Sequence, residues 1–357
     1  MNEHFIKNIE IKNFKCFEDF KAEGFGRVNL IGGKNNVGKT AFMEACFLSK
    51  SKDTEDLFEK LLEIQTHRNI INNLLSNTKR EEDIRALIKN NLDIEIFIKG
   101  KGGFIQYDDE NGDLAYDWGN GLVKLVKKND KLYIYNKYTP LNKRGEEGYY
   151  GDRPEIYSLS KLIQKLDINL ESTKMNFSIN FISPYSNSNK ELENIIGQSK
   201  LDNKYDELNE YLLDVFNISS IDTIKNKPML KSNGKYIELS HFGQGIKTFI
   251  NIISSILLLK DDILFIDEIE NGIHYTNLDK LWEIILTISK QQNVQLFATT
   301  HSKECIESYA RVAKKLEDKE IAFIELCKRE EEIKAFVYPY DWFIDEIEQE
   351  HEVRGCL

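Results

Sequence analysis

The order of apolar and polar positions at the start of the chain predicts a strand, a glycine-rich loop and a helix. Apolar and polar residues alternate over 6–14 (IKNIEIKNF), which is typical of a half-buried strand. A second short apolar run, 27–33 (RVNLIGG), leads directly into the glycines. The segment 41–48 (AFMEACFL) contains strong helix formers and no breaker, so a helix is expected to begin at the preceding Lys-Thr pair.

The last third of the chain alternates between short apolar runs and longer amphipathic segments. Strands are predicted at 262–268, 294–302, 320–328 and 332–339. A turn that leads into a helix is predicted at 240–259, and further helices at 277–293 and 305–318. Strand–helix alternation of this kind predicts a largely parallel sheet that is covered by helices.

The spacing of apolar residues changes in the middle of the chain. Leucines and isoleucines at three- and four-residue spacings predict helix over 55–90, whereas short runs separated by turns predict antiparallel β structure over 92–138. A buried strand is expected at 177–181 and an amphipathic helix at 202–215. No heptad repeat continues for four cycles, so a long coiled-coil arm is not expected.

Composition narrows the class of protein. The 357 residues are 41% hydrophobic and 30% charged, which fits a globular chain with a substantial core. The net charge of −11 disfavours general affinity for nucleic acid, although a local basic patch stays compatible with it. No apolar run reaches the roughly 18 residues of a membrane span, and the N-terminus has no apolar signal segment. We therefore expect a cytoplasmic protein with no membrane partner.

The stretch GGKNNVGKT at 32–40 has the residues of a phosphate-binding loop. Gly33, Gly38, Lys39 and Thr40 match G-x-x-x-x-G-K-[ST], in which backbone N–H groups and the start of a helix surround a phosphate chain. The Lys39 ammonium would reach the β- and γ-phosphates, and the Thr40 hydroxyl would bind Mg²⁺. The alternative is an ordinary glycine-rich turn with a surface lysine. The predicted nucleotide-binding residues are Gly33, Lys34, Asn35, Asn36, Val37, Gly38, Lys39, Thr40 and Ala41.

A buried strand at 263–266 (ILFI) ends in the two acids that such a loop requires. Asp267 at its carboxyl end would bind Mg²⁺ directly or through water, because ligands collect at this end of parallel strands. Glu268 would act as the general base on the attacking water, a role that contributes about 10²–10⁴ in rate. A strand ending in surface acids is the alternative. With the loop, these residues predict hydrolysis of ATP with Mg²⁺.

Further motifs follow in an order that resembles a known family. The run 239–245 (LSHFGQG) resembles the signature motif of ABC-type ATPases, in the Ser-x-x-Gly-x-Gly form of the RecF/SMC branch. The runs 267–274 (DEIENGIH) and 298–302 (ATTHS) resemble the family's Walker B with D-loop and its switch histidine, and 11–17 (IKNFKCF) resembles its first strand. The chain thus resembles a prokaryotic "AAA family ATPase" of the OLD and phage-defence group.

The resemblance implies an α/β fold: a P-loop ABC-type ATPase head whose mixed sheet is flanked by helices, with an antiparallel β and helical insertion. The expected core is 1–50 with 230–357, and the expected insertion is 51–229, which includes the helical lobe on the signature side. One departure concerns the Q-loop, because no glutamine follows the strand at 177–182 and Ser183-Pro184 stands there instead.

The resemblance also implies a head-to-head dimer around ATP. Ser240, Gly243 and Gly245 of one copy would contact the γ-phosphate bound by the other. His301 would be the γ-phosphate sensor, and with the general base Glu268 it would form the catalytic pair. The alternatives are that SHFGQG is only a helix cap and that His301 is a core histidine. A higher oligomer than the dimer stays open.

The biological role has three candidates. The first is an ATPase of defence or DNA maintenance that regulates a nuclease or other effector in trans, since the 56 residues after His301 are too few for a Toprim nuclease. The second is a RecF-like DNA-binding clamp, and the third, disfavoured by the loosened signature, is a transporter subunit.

The acidic segment 341–352 is either a solvated helix face or a partner-docking segment beside Trp342 and Phe343.

Overall fold

The computed structural model describes most of the chain outside its middle. The described residues are 5–50, 60, 63–64, 97–100, 103–108, 113–117, 121–128, 131–138, 155–158, 179–184, 189–330 and 332–350. The predicted loop at 144–154 and nearly all of the helical prediction at 55–90 therefore lie outside the described residues. Among the described helices, none is long and apolar enough to cross a membrane.

The strands and helices are numbered here in chain order. The strands are β1 (Asn8–Phe14), β2 (Phe17–Glu23), β3 (Val28–Gly32), β4 (Phe97–Gly100), β5 (Gly103–Asp108), β6 (Asp113–Asp117), β7 (Gly121–Lys128), β8 (Lys131–Tyr138), β9 (Glu155–Ser158), β10 (Phe181–Ile182), β11 (Ser220–Ile224), β12 (Lys227–Ser232), β13 (Lys235–Glu238), β14 (Ile263–Ile266), β15 (Gln295–Thr299), β16 (Ile321–Arg329) and β17 (Glu332–Pro339). The α-helices are α1 (Lys39–Leu48), α2 (Asn189–Leu201), α3 (Tyr205–Phe216), α4 (Gln244–Leu258), α5 (Leu278–Gln291), α6 (Lys303–Leu316) and α7 (Tyr340–Glu348). Short 3₁₀ turns cover Leu239–His241 and Tyr275–Asn277.

A six-stranded sheet in the order β10-β14-β15-β3-β16-β17 forms the centre of the fold. Its first five strands are parallel and β17 is antiparallel to β16. Every residue of β3, β14 and β15 is buried, as expected for parallel strands covered on both faces. The α/β class and the predicted strands and helices of the last third are confirmed.

The two faces of this sheet pack against different layers. Leu264 and Ile266 share a hydrophobic cluster with residues of α4, α5 and α6. Phe265 and Phe297 share a second cluster with α1, β1 and β2. Because side chains alternate along a strand, each strand of the central sheet contributes to both clusters. The strands are thereby held rigidly from two sides.

The antiparallel structure predicted over 92–138 is confirmed as part of an eight-stranded sheet. Its order is β2-β1-β4-β5-β6-β7-β8-β9. The N-terminal strand β1 pairs with β2 on one side and β4 on the other, so it joins this sheet rather than the central one. The division into a core of 1–50 with 230–357 and an insertion of 51–229 stays a prediction.

The segment between β10 and α4 contains elements that the sequence pattern did not reveal. Helix α2 and the three-stranded antiparallel sheet β11-β12-β13 were not predicted. The amphipathic helix expected at 202–215 is α3. The strand expected at 177–181 overlaps the observed strand only at Phe181: 179–180 form a turn, 177–178 lie outside the described residues, and β10 is Phe181–Ile182, which pairs in parallel with β14. Leu208 and Leu212 of α3 enter the same hydrophobic cluster as residues of α4.

The acidic segment at 341–352 is helix α7 over most of its described part. Its two aromatic residues differ in environment: Phe343 is buried and stacks on Phe323 with ring centroids 4.9 Å apart, whereas Trp342 is 67% exposed. Phe343 is thus a core residue and is not part of a docking surface. Residues 351–352 lie outside the described part.

Truncation of a central aromatic residue tests this layered core. Phe297 on β15 is fully buried between Phe25 and Phe265, with ring centroids 5.4 and 5.7 Å away. We expect Phe297→Ala to lower the free energy of unfolding by about 3–5 kcal/mol, through lost transfer energy and a residual cavity. Trp342→Ala, on an exposed side chain, should change it by no more than about 0.5 kcal/mol. Denaturant titrations that give equal changes for the two variants would contradict the assigned core.

Candidate functional site

The loop between β3 and α1 has a backbone that requires glycine at two positions. Gly33 has φ 140° and Gly38 has φ 89°, both in the region that disfavours L side chains. A Cβ at Gly33 would collide with the carbonyl oxygen of Leu326, and one at Gly38 would lie 2.6 Å from Cys16 Sγ. Gly38 is the N-cap of α1, and no side chain caps that helix start. The free N–H groups of its first turn are therefore open to an anion.

The loop has an exposed rim and a buried base. Lys34, Asn35 and Asn36 are exposed, whereas Val37 and Ala41 are buried in the cluster beneath α1. Val37 and Ala41 thus anchor the loop by packing, and the rim keeps its backbone N–H groups accessible. Both arrangements suit the binding role predicted for 33–41.

Lys39 directs its ammonium across this loop. Its Nζ donates hydrogen bonds to the carbonyl oxygens of Gly33 and Lys34, both at 2.8 Å. Only 4% of the residue is exposed. Burial lowers the pKa of Lys39 to about 8, although the charges of Asp267, Glu270 and Glu268 act in the opposite direction. The ammonium is thus a buried cation that two carbonyl oxygens of the loop hold in place.

Asp267 connects three segments that are distant in sequence. Thr40 Oγ1 lies 3.1 and 3.2 Å from the two oxygens of the Asp267 carboxylate and donates to it. Thr299 Oγ1 donates to the same carboxylate at 2.6 Å, and the Asp267 N–H donates to the Ile182 carbonyl at 2.7 Å. A hydroxyl beside a carboxylate is the all-oxygen donor set that Mg²⁺ prefers, so Thr40 and Asp267 fit the metal predicted for them.

Glu268 is held in an unusual conformation next to this pair. Its φ is 52°, a costly value for a residue other than glycine, and its N–H donates to Thr299 Oγ1 at 2.8 Å. Burial raises the pKa of the Glu268 carboxyl, and repulsion from Asp267 adds to the rise. His301 and Lys39 partly offset it. A half-buried acid with a raised pKa beside a second acid is a pattern of catalytic sites.

His301 is exposed and lies two residues beyond the end of β15, at the edge of the sheet where β14 also ends. Its backbone N–H donates to Glu270 Oε1 at 2.8 Å. Two further residues of this site, Glu270 and Thr299, were not predicted from the sequence. Both lie within motif runs, but the sequence carries no signal that their side chains meet the neighbouring loop. The carboxyl ends of β3, β14 and β15 thus bring together the glycine-rich loop, the acidic pair and His301.

The signature segment forms a separate, exposed turn. Ser240 lies in the 3₁₀ turn and its Oγ donates to Glu238 Oε1 at 2.9 Å. Gly243 is the N-cap of α4, and no side chain hydrogen bond caps that helix. The N-cap of this helix thus lies within SHFGQG, at Gly243, and the serine takes no part in it. Gly245 is buried, because its Cα lies directly against the carbonyl of Gly272 in the turn after β14.

The buried position of Lys39 has a consequence for stability. Below about pH 8 Lys39 is protonated in the folded and the unfolded protein, so the full penalty of burying the charge is present. Between pH 8 and pH 10.5, the pKa of an ordinary lysine, the unfolded chain binds more protons at Lys39 than the folded chain does. The free energy of unfolding therefore rises with pH in this window.

We therefore expect nucleotide-free wild type to gain stability relative to Lys39→Met as the pH rises from 8 to 10. Denaturant titrations of both proteins across this window measure the difference. A constant difference would contradict the assigned pKa.

The family model described as "AAA domain, putative AbiEii toxin, Type IV TA system" matches residues 105–307, a span that includes the signature, acidic and histidine motifs. An "ATP/GTP phosphatase" of Helicobacter pylori is 27% identical over 327 residues, covering 85% of this chain and 86% of that protein. MJECL10 of Methanocaldococcus jannaschii is 28% identical over 175 residues, 48% of this chain and 69% of that one.

Among solved structures, an SmcHead bound to the C-winged helix domain of ScpA superposes with a TM-score of 0.49 at 12% identity, covering 94% of this chain and 99% of that one. Because the family model spans more than half of the sequence, the resemblance predicted from the motifs is confirmed. The chain is an ATPase of the AAA type, and it belongs to the family described as "AAA domain, putative AbiEii toxin, Type IV TA system".

Proposed function

We propose that this protein binds ATP on residues 33–41, hydrolyses it with Mg²⁺, and dimerises head-to-head around the nucleotide. The observation that carries the proposal is the contact between Thr40 and Asp267, which are 227 positions apart in the chain. The two residues meet at the edge of the central sheet where the glycine-rich loop opens. An ordinary glycine-rich surface turn would not require this hydrogen bond between a threonine hydroxyl and a carboxylate at the end of a distant strand.

Nucleotide binding follows from the loop geometry. The phosphate chain accepts hydrogen bonds from the loop N–H groups and from the start of α1. Lys39 Nζ exchanges the carbonyls of Gly33 and Lys34 for phosphate oxygens, which are charged and therefore stronger acceptors. Thr40 and Asp267 hold Mg²⁺, which when bound neutralises charge on the phosphates.

Hydrolysis is assigned to Glu268 and His301. The Glu268 carboxylate accepts a proton from the attacking water, and its raised pKa places it closer to the working pH than an ordinary glutamate. His301 stands at the end of the neighbouring strand β15 and within electrostatic reach of Glu268. Its imidazole is suited to donate a hydrogen bond to the γ-phosphate.

The dimer is supported by the surface on the signature side. Ser240 and Gly243 are exposed, and among the described residues no packing contact in the core requires a serine or a glycine at these positions. Tyr236, 43% exposed, precedes the signature, and Tyr275, 66% exposed, follows the turn of Gly272. Gly245 packs on Gly272, so the start of α4 lies against this turn. We propose that Ser240 and Gly243 face the γ-phosphate held by a second copy, and that Gly245 supports them by its packing on Gly272.

The same proposal assigns the ATPase core to 1–50 with 230–357 and an insertion to 51–229. It also assigns a role in regulating a partner effector, such as a nuclease encoded separately, in prokaryotic defence or DNA maintenance. The family description, which names a toxin of a toxin–antitoxin system, supports a defence-type role. The alternative, a RecF-like DNA clamp without an effector, predicts DNA-stimulated turnover with a steep salt dependence.

Loss of the Lys39 ammonium tests nucleotide binding. Lys39→Ala removes the charge-assisted hydrogen bonds to the phosphates, and we expect ATP affinity to fall by about 100-fold or more. Lys303→Ala removes an exposed lysine of α6 and should bind ATP as the wild type does. Calorimetric titration with ATP and Mg²⁺ measures both. Equal affinities in the three proteins would reject the loop as the binding site.

Neutralisation of Glu268 separates binding from hydrolysis. Glu268→Gln should bind MgATP, hydrolyse it about 10²–10⁴ times more slowly, and accumulate as a dimer in saturating MgATP. Glu307→Gln, on an exposed ion pair of α6, should leave turnover unchanged. Phosphate release and light scattering are the measurements. A Glu268→Gln protein that stays monomeric in saturating MgATP would refute the head-to-head arrangement.

A further inference from the structure

Glu270 connects the two loops of the proposed site, and no motif role accounts for it. It lies three positions beyond Asp267 in the turn after β14. Its Oε1 accepts the backbone N–H of His301 at 2.8 Å. The side chain therefore crosses from the turn that carries Glu268 to the loop that follows β15.

The second oxygen of the same carboxylate is buried without a hydrogen-bond partner among the described residues. Leaving a buried carboxylate oxygen unpaired is costly, and native structures keep few such atoms. The charge of Glu270 also acts on Lys39 and Glu268 and raises the pKa of both. Glu270 thus adds negative charge where two other carboxylates already stand, which a purely structural residue would avoid.

The simplest structural explanation, that Glu270 caps α6, does not account for the contact. The cap of α6 is Ser302, whose Oγ accepts the N–H of Cys305 at 3.1 Å. The N–H that Glu270 binds belongs to His301, one residue before the cap. The contact therefore determines the position of His301 and is not required to begin the helix.

Three other hydrogen bonds join the same pair of loops, but all of them end at Thr299. Glu268 N–H donates to Thr299 Oγ1 at 2.8 Å, Ile269 N–H donates to the Thr299 carbonyl at 3.1 Å, and Thr299 Oγ1 donates to the Asp267 carboxylate at 2.6 Å. They fix the end of β15, two residues before His301. The next residue, Thr300, is buried and its N–H donates to the Ile31 carbonyl at 3.0 Å. His301 itself is exposed, and the Glu270 carboxylate joins its backbone N–H to the turn after β14.

We propose that Glu270 is a positioning residue of the ATPase site, which holds His301 in register with Glu268 by accepting its backbone N–H. The inference rests on the proposed function, because it assumes that His301 acts on the γ-phosphate. It assigns Glu270 no contact with the nucleotide. Glutamine at this position keeps the accepting oxygen, whereas alanine removes it.

Hydrogen exchange tests the contact without reference to activity. In the full-length protein without nucleotide, we expect the His301 amide to exchange about tenfold faster in Glu270→Ala than in wild type. Glu270→Gln should exchange within about threefold of wild type, because Oε1 is retained. Glu307→Ala, which removes an exposed carboxylate of α6, is the matched control. Unchanged exchange in Glu270→Ala would overturn the proposal and leave the proposed function intact.

A double-mutant cycle tests the consequence for catalysis. Glu270→Ala should lower kcat about tenfold with an ATP Kd within about threefold of wild type, and Glu270→Gln should restore most of the kcat. The double variant with His301→Ala should be no slower than His301→Ala alone, because Glu270 acts through His301.

Two results of the cycle would decide against the proposal. If the loss of kcat in the double variant equals the product of the losses in the two single variants, Glu270 acts independently of His301, and the proposal is overturned. If His301→Ala turns over ATP at the full rate, His301 has no role in hydrolysis. Glu270 would then have no catalytic residue to position, and this proposal would be overturned whatever the exchange rates.

Discussion

The hydrogen bonds on the Asp267 carboxylate are the constraint on which the site depends. Thr40 and Thr299 reach that carboxylate from two other segments, and they do so because β15 lies between β3 and β14 in the sheet. Parallel strands end at one edge, so this strand order brings loops far apart in sequence within hydrogen-bonding distance. A different order would leave the glycine-rich loop without its acid. The parallel topology is thus the physical origin of the chemistry proposed here.

The site concentrates costly features, and the core beneath it offsets them. Lys39 is a buried cation, Glu268 has a left-handed backbone, and one buried oxygen of Glu270 has no hydrogen-bond partner in the part of the chain that the structure describes. Directly below, Phe265 and Phe297 stack with ring centroids 5.7 Å apart and hold β14 and β15 together. Strain persists only where the surrounding structure over-determines the conformation. The aromatic layer between sheet and helix supplies that rigidity.

Local sequence signals predicted the elements that local chemistry determines. The glycines at 33 and 38 mark positive φ, and the apolar run at 263–266 marks a strand buried on both faces. Elements whose form depends on distant partners were missed. The short β11–β13 strands have weak patterns, and β1 alternates in the same way whichever sheet it joins. Phe343 looked like a surface residue because its burial depends on Phe323, and the contacts of Glu270 and Thr299 join separate loops.

The most direct test of this account is a crystal structure of Glu268→Gln grown with ATP and Mg²⁺. The account predicts the β- and γ-phosphates on the loop N–H groups and on Lys39 Nζ, with the metal bound by Thr40 Oγ1 and by Asp267 directly or through water. Lys39 would then have left the carbonyls of Gly33 and Lys34. Phosphates bound elsewhere, or a nucleotide on the loop with Lys39 still on those carbonyls and no metal near Asp267, would contradict it.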